Sequence, residues 1–266
     1  MTPRRWMLDA AAGLSLGFIL LPLFFVTWLA FFKQEIPSFP PEGYTLRWFA
    51  AILDNRKFVD GFLLSAQVGA VATLIGVSLA VPAALCVARF RFAGREALNS
   101  FLLLPLAVPG VVLGTSIYVY QVAIENRFDF DVLGTLWSLV AAHIIIVIPW
   151  CMRLVSASLA GFDRAVEEAA YSLGAGPWTA FFRVTLPMIR PGVVAGCLFG
   201  FVTSFGNLEM SLFLVGPGRT TLPIAILQYL EWKIDPVIAA VSVLQIVLVG
   251  GAMLITDRFV KISRVV

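Results

Sequence analysis

The chain has 266 residues, 60% of them hydrophobic and 13% charged, with a mean hydropathy of +0.92. Soluble domains carry roughly 45–50% apolar residues, so a water-soluble globule is excluded and a membrane protein is implied. Nineteen Lys and Arg against sixteen Asp and Glu leave a formal charge of +3, too little for a nucleic-acid surface, so the charges inform by position.

A spanning helix needs about 20 mainly apolar residues, and six stretches qualify, at about 10–32, 61–88, 100–122, 132–152, 191–215 and 237–256. The expectation is an all-α polytopic protein, with residues 1–266 forming one membrane domain of six transmembrane helices. The first stretch follows Arg4 and Arg5 as a signal peptide would, but its apolar run is too long and no small-residue cleavage site follows Phe32, so it is read as an anchor. Pro37, Pro40 and Pro41 then predict an extended segment, followed by a short amphipathic helix around Leu46 to Leu53. In the third stretch Pro105 and Pro109 each remove a helical hydrogen bond and predict kinks, either static or hinge-like.

The fourth stretch holds His143 among Ala141, Ile144 and Ile145, with no second His or Cys at ligand spacing, which reads as a packed core histidine and no metal site. Cys86, Cys151 and Cys197 lie in apolar runs without C-x-x-C spacing and read as small core fillers. In the fifth stretch Gly192, Gly196 and Gly200 form a smooth strip for close helix packing, a second subunit being one candidate neighbour. On a regular helix Gly200, Ser204, Asn207 and Ser211 share one stripe, a candidate pore face. Glu209 is the one carboxylate inside a span. It falls about 18 residues, or roughly 27 Å, into that helix and about 200° from Asn207, so a substrate or gate role competes with interfacial pairing.

Positively charged loops are retained on the cytoplasmic side. With the N-terminus inside, twelve Lys and Arg fall inside, among them Arg4, Arg5, Lys261 and Arg264, and seven outside; both termini are then expected to be cytoplasmic. The bias is sharpest in short connections: Ala88 to Asn99 carries three arginines and one glutamate, Glu125 to Asp131 three acids and one arginine.

The connection at about 153–190 reads as two helices. Asp163 is a candidate N-cap, Glu167 and Glu168 suit a helix N-terminal half, and Val166, Ala169, Ala170 and Leu173 recur at three-to-four spacing. Gly174 to Gly176 ends that helix, Pro177 opens a second through Trp178, Phe181 and Phe182, and Leu186-Pro187 predicts another break before Pro191. Such an elbow, bare at its apex, suits either the groove of another protein or the membrane surface. Arg183 and Arg190 suit lipid phosphates or that partner.

Glu168-Ala169-Ala170, then Gly174 four residues after Ala170, then Val184-Thr185-Leu186-Pro187 after nine intervening positions resembles the EAA signature of permease subunits of binding-protein-dependent ABC importers, with Val184 in place of the commoner isoleucine. The resemblance implies a type I ABC importer permease fold in a bacterial inner membrane. It implies that the loop is a coupling helix entering a cleft on a separate ATP-binding subunit, with Glu168 as the polar contact, Gly174 as the turn, and Ala169, Ala170, Leu186 and Pro187 completing the set. The implied partners are an ATP-binding subunit dimer, a second permease subunit, sister or identical, a periplasmic or extracellular substrate-binding protein and the lipid bilayer. No G-x-x-x-x-G-K-[ST] loop occurs, so the energy is expected from a partner; no enzyme activity, cofactor or metal is expected of this chain.

Pro105 to Ser116, Ser204 to Gly218 and Leu222 to Ile226 look most like the spermidine/putrescine permease class. That class often has an acid at the site of Gly206 or Asn207, which this chain lacks while keeping Glu209. The implied cargo is a polyamine or similar organic cation. The same build also serves amino-acid derivatives, iron or anions. An ATP-independent secondary transporter predicts inverted repeats and midplane charges, which are not found in the sequence. The candidate pathway residues are Ser204, Asn207, Glu209 and Ser211.

Overall fold

The structure, a computed structural model, describes the backbone of residues 3–260 and the side chains of residues 7–258. Lys261 and Arg264 from the charge asymmetry lie outside the described residues, as do the side chains of Arg4 and Arg5. The described chain is helical, without a β-strand and with one isolated bridge between Phe32 and Tyr44.

In chain order the helices are α1 (Pro3–Leu29), α2 (Arg47–Asp54), α3 (Arg56–Arg89), α4 (Arg95–Leu103), α5 (Gly110–Phe128), α6 (Leu136–Ala160), α7 (Ala165–Ser172), α8 (Pro177–Ala180), α9 (Leu186–Phe205), α10 (Leu222–Trp232) and α11 (Val237–Val260). Four segments are long and apolar enough to cross a membrane: Met7–Leu29, Arg56–Arg89, Leu136–Ala160 and Val237–Arg258. Two bent pairs bring the number to six: Arg95–Leu106 with Gly110–Phe128, and Pro177–Met188 with Arg190–Phe205.

The third expected span is therefore broken where a kink was predicted. A 3-10 turn at Leu104–Leu106 ends the first half, and the two halves meet at 104°. Pro109, at φ −55° and ψ 134°, holds extended backbone just before α5, so the helix cannot run through. The fifth span also departs from the regular helix over 191–215. Helix α9 stops at Phe205, and Ser211–Phe213 forms a separate 3-10 turn. The Asn207 amide oxygen accepts the Met210 N–H at 2.8 Å, a local side-chain bond that competes with helix continuation. At the other end of α6 the helix outruns its expected limit of 152 and reaches Ala160, because Val155 and Leu159 extend its buried face while Arg153 stays exposed.

The chain forms two compact units. The first joins the segment ending at Val59 to Ile226–Gly250. The proline-bearing stretch after α1 is a bent loop closed on itself where an extended segment was expected: Lys33 N–H donates to the Gly43 carbonyl at 2.9 Å and Thr45 N–H to the Phe31 carbonyl at 2.8 Å, beside the Phe32–Tyr44 bridge. Helix α2 follows, as expected. Trp48 Nε1 donates to the Phe32 carbonyl at 2.6 Å, Arg47 donates to the Lys33 carbonyl at 2.8 Å, and its guanidinium lies 4.2 Å above the Trp48 ring. Tyr229 packs on Phe58 with ring centroids 5.1 Å apart and donates its hydroxyl to Asp235 at 2.7 Å. Asp235 also accepts the Val237 N–H at 3.0 Å, which caps α11.

The second unit holds Asp60–Ala225 and the last turns of α11. Its seams are built from small residues, as expected where lipid supplies no hydrophobic drive and close backbone contact must do the work. Gly192, Gly196 and Gly200 pack against Leu154, Cys151 and Val147 of α6. The neighbour of the glycine strip is thus a helix of the same chain and not a second subunit. A Cβ at Gly192 would lie 2.5 Å from the Leu154 carbonyl oxygen, and one at Gly200 2.9 Å from Val147. Cys151 is buried in this seam and donates to the Gly196 carbonyl at 3.3 Å. Helix α3 contributes Ala72, Ala80 and Ala84, all fully buried, to the same core.

Candidate coupling and pathway sites

The elbow is assembled by local rules. The Asp163 carboxylate accepts the Ala165 N–H at 2.9 Å and so opens α7. At its end Gly174 takes φ +84°, a left-handed conformation that favours glycine. Gly174 N–H donates to Tyr171 at 2.9 Å and Ala175 N–H to Ala170 at 3.0 Å, which together form a Schellman closure. Gly176 is extended and Pro177 takes the first position of α8. The predicted break at Leu186-Pro187 is displaced. A π-helical turn over Phe181–Thr185 runs directly into α9, accommodating the missing Pro187 N–H. The 68° bend falls between Met188 and Arg190, just before Pro191, whose ring opposes the carbonyl of Pro187.

The elbow turns an apolar surface outward. Leu173 is 89% exposed and Trp178 73%, and Trp178 stacks on Phe182 with centroids 6.2 Å apart. Around Gly174 and Gly176 no atom lies within 4 Å of an added Cβ, so the apex is bare. Glu168 and Ala169 are exposed on α7 and Ala170 is half-buried. Leu186 instead packs on the buried core from the start of α9, and Pro187 is exposed there. The first four residues of the signature thus share the elbow, while the last two shape the helix behind it.

The buried acid of α7 is the neighbouring Glu167, which its sequence position marks only as suited to a helix N-terminal half. Arg89 at the end of α3 reaches its carboxylate at 2.7 Å, and the Thr185 hydroxyl donates to the same oxygen. Arg164 donates to the Ala88 carbonyl at 2.9 Å, and the Arg89 guanidinium lies 5.9 Å from the Phe162 ring centroid. Two successive acids on a helix point roughly 100° apart, which is the sequence signal for one inward and one outward carboxylate. Nothing in the sequence names a partner 78 residues away.

The candidate pathway residues divide. Ser204 Oγ lies 2.7 Å from His143 Nδ1, and Ser211 Oγ lies 3.1 Å from His143 Nε2. Because the Ser211 hydroxyl proton is committed to the Asn207 carbonyl at 3.0 Å, Nε2 carries the imidazole proton and Nδ1 accepts from Ser204. Both serines are buried, at 2% and 0% exposure. The expected polar stripe does not form: α9 stops at Phe205, and Ser204 near its end and Ser211 in the 3-10 turn both fold inward around a packed histidine. Asn207 is half-buried and occupied with its own turn. Glu209 stands apart, exposed, lying against Gly110 at the break before α5, where an added Cβ would come within 2.9 Å of its carboxyl carbon. Among the described residues it makes no hydrogen bond or ion pair, and no three His, Cys, Asp or Glu side chains converge as metal ligands.

A multi-pass chain of straight and broken spans, with a capped elbow between the fourth and fifth, defines a membrane permease. Residues 72–264 match the family described as the binding-protein-dependent transport system inner membrane component, and the chain belongs to that family. It is a polytopic inner-membrane channel subunit of the ABC importer permeases and not a catalytic enzyme. PotI of Escherichia coli (strain K12), a putrescine transport system permease protein, is 31% identical over 78% of this chain and 74% of its own. PhnV of Salmonella paratyphi A, provisionally named a 2-aminoethylphosphonate transport system permease protein, is 30% identical over 96% of this chain and 95% of its own. A chain of a bacterial alginate ABC transporter in complex with a pentasaccharide-bound periplasmic protein superposes with a TM-score of 0.73 at 17% identity, over 96% of this chain and 94% of that one. A chain of the inward-facing MetNI methionine ABC transporter gives 0.63 at 20% identity, over 77% and 94%. These structures carry the likeness of fold, the type I importer permease architecture.

Proposed function

We propose that this chain is one permease of an ATP-driven importer for a polyamine or similar small organic cation. The observation that carries the coupling half of the reading is the elbow. Its Schellman-closed apex is free of side-chain bulk, and beside it Leu173, Trp178, Glu168 and Ala169 are turned outward on a part of the chain otherwise tied down. Glu168, Ala169, Ala170 and Gly174 meet the ATP-binding subunit of a dimer in this reading, while Leu186 and Pro187 set the angle of the helix that follows. A second permease, identical or sister, shares the pathway, and a soluble binding protein delivers cargo from the far side. The elbow and both chain termini face the cytoplasm, in line with the arginine-rich inner connections.

For cargo, Glu209 supports a cation: it is an exposed carboxylate with no counter-charge paired to it among the described residues, and the relatives include PotI. Asn207, half-buried beside it, is the second candidate pathway residue, whereas Ser204 and Ser211 act through the shape of this loop. A second reading, import of a zwitterionic aminophosphonate, is favoured by the nearly full-length match to PhnV. The test is uptake of labelled putrescine, spermidine and 2-aminoethylphosphonate by cells lacking the chain, complemented with wild type or Glu168→Lys. Uptake of either polyamine with wild type alone is the expected result. Uptake of the phosphonate alone moves the cargo to the second reading, and equal uptake with both chains sinks the coupling role.

A further inference from the structure

Helix α7 has eight residues and is flanked by Gly161–Asp163 on one side and Gly174–Gly176 on the other. Short glycine-bearing turns bend readily, so a push on the elbow from a docked subunit would be lost in them unless α7 were tied to something longer. Such ties are present. Arg89 holds Glu167 at 2.7 Å, Thr185 donates to the same carboxylate oxygen, and Arg164 holds the Ala88 carbonyl at 2.9 Å. The pair is not a surface ornament: the Glu167 side chain is 8% exposed and that of Arg89 21%. A charge-assisted bond in such a dry setting is short, directional and stiff. Its two anchors are the last turn of α3, whose Ala72, Ala80 and Ala84 are locked in the core, and the π-helical turn that feeds α9. The two acids of α7 thus divide the labour, with Glu168 facing outward and Glu167 inward.

We propose that Arg89, Glu167 and Thr185 form a latch that stays closed through the transport cycle and makes α7, α3 and α9 move as one body. The three are positioning residues. The proposal rests on the coupling reading above, and its test separates the two.

The transporter is purified as the assembled complex with its ATP-binding subunits and placed in lipid nanodiscs and vesicles, as wild type, Glu167→Gln, Thr185→Val, the exchanged pair Arg89→Glu with Glu167→Arg, and Glu168→Lys. Hydrogen exchange over residues 165–173, which needs no cargo, is expected to speed up at least ten-fold in Glu167→Gln and to return most of the way in the exchanged pair. With ATP-binding subunits still co-purifying, ATP hydrolysis is expected to continue while putrescine or 2-aminoethylphosphonate uptake per ATP falls about ten-fold. Thr185→Val, which removes one hydroxyl and keeps the side-chain shape, is expected to give a smaller change of the same kind and serves if Glu167→Gln fails to insert. Unchanged exchange, an unchanged uptake-to-ATP ratio, or loss of uptake only in proportion to lost ATP-binding subunits would overturn the latch. Normal assembly and uptake in Glu168→Lys would instead overturn the coupling reading on which it stands.

Discussion

His143 has a quiet neighbourhood in the sequence and an occupied one in space. Its two ring nitrogens hold Ser204 and Ser211, which belong to a helix end and a 3-10 turn separated by the loop at 206–210. Replacing it with leucine leaves two buried hydroxyls without that partner, a loss of about 1–3 kcal/mol for a buried unsatisfied group. His143→Leu is therefore expected to lower the thermal unfolding midpoint of the detergent-solubilised protein, and an unchanged midpoint would remove the network from the account of stability. Glu209 invites the opposite experiment, because it is exposed and pairs with no group among the described residues. Glu209→Gln is expected to leave the midpoint where it is and to reduce polyamine uptake several-fold, whereas Gly110→Ala, by pushing the carboxylate aside, should mimic it. Equal uptake by all three chains would assign Glu209 to the interface and not to the path.

Among the elements, the most demanding seam is between α6 and α9. Where helices associate by close packing in lipid, a side chain inserted between touching backbones has no room to settle. Gly196→Leu is expected to cost at least the roughly 1–3 kcal/mol typical of overpacked cores, with Gly192 and Gly200 behaving alike. Folding yield in membranes reads this out, and wild-type yield for all three would mean that the helices slide apart without penalty. The elbow obeys a different constraint. At Gly174 the positive φ costs an ordinary residue about 1–2 kcal/mol, yet the open space around it accommodates the side chain itself. Gly174→Ala should accordingly impair the turn locally, seen as faster hydrogen exchange at the end of α7, without loss of membrane insertion.

For the whole molecule, the permease reading makes two demands. Glu168→Lys and Gly174→Asp should both reach the membrane in normal amount and abolish uptake, since neither residue contributes to the packed core; normal uptake by both would sink the docking assignment. Single cysteines placed at Asn99 and at Asp129, in a chain freed of its native cysteines, should react with an impermeant reagent from opposite sides of the membrane, and labelling from one side would overturn the six-span topology. Much of this was legible in advance. Spans announce themselves because lipid demands some 20 apolar residues in a row, whatever they pack against, and the elbow was legible because caps, a left-handed glycine and an N1 proline act within a few residues.

The sequence by itself determined the membrane class, the approximate positions of the spans, the short helix α2 and the helix-glycine-helix elbow, since each depends on composition or on neighbours along the chain. Only the tertiary structure decided that Pro109 and Asn207 break helices outright, that the glycine strip faces α6, that His143 gathers two serines, and that Glu167 rather than Glu168 is held by Arg89. Those outcomes turn on which backbones touch across long separations in the chain, and a periodic pattern records that a face is small or polar without recording what covers it.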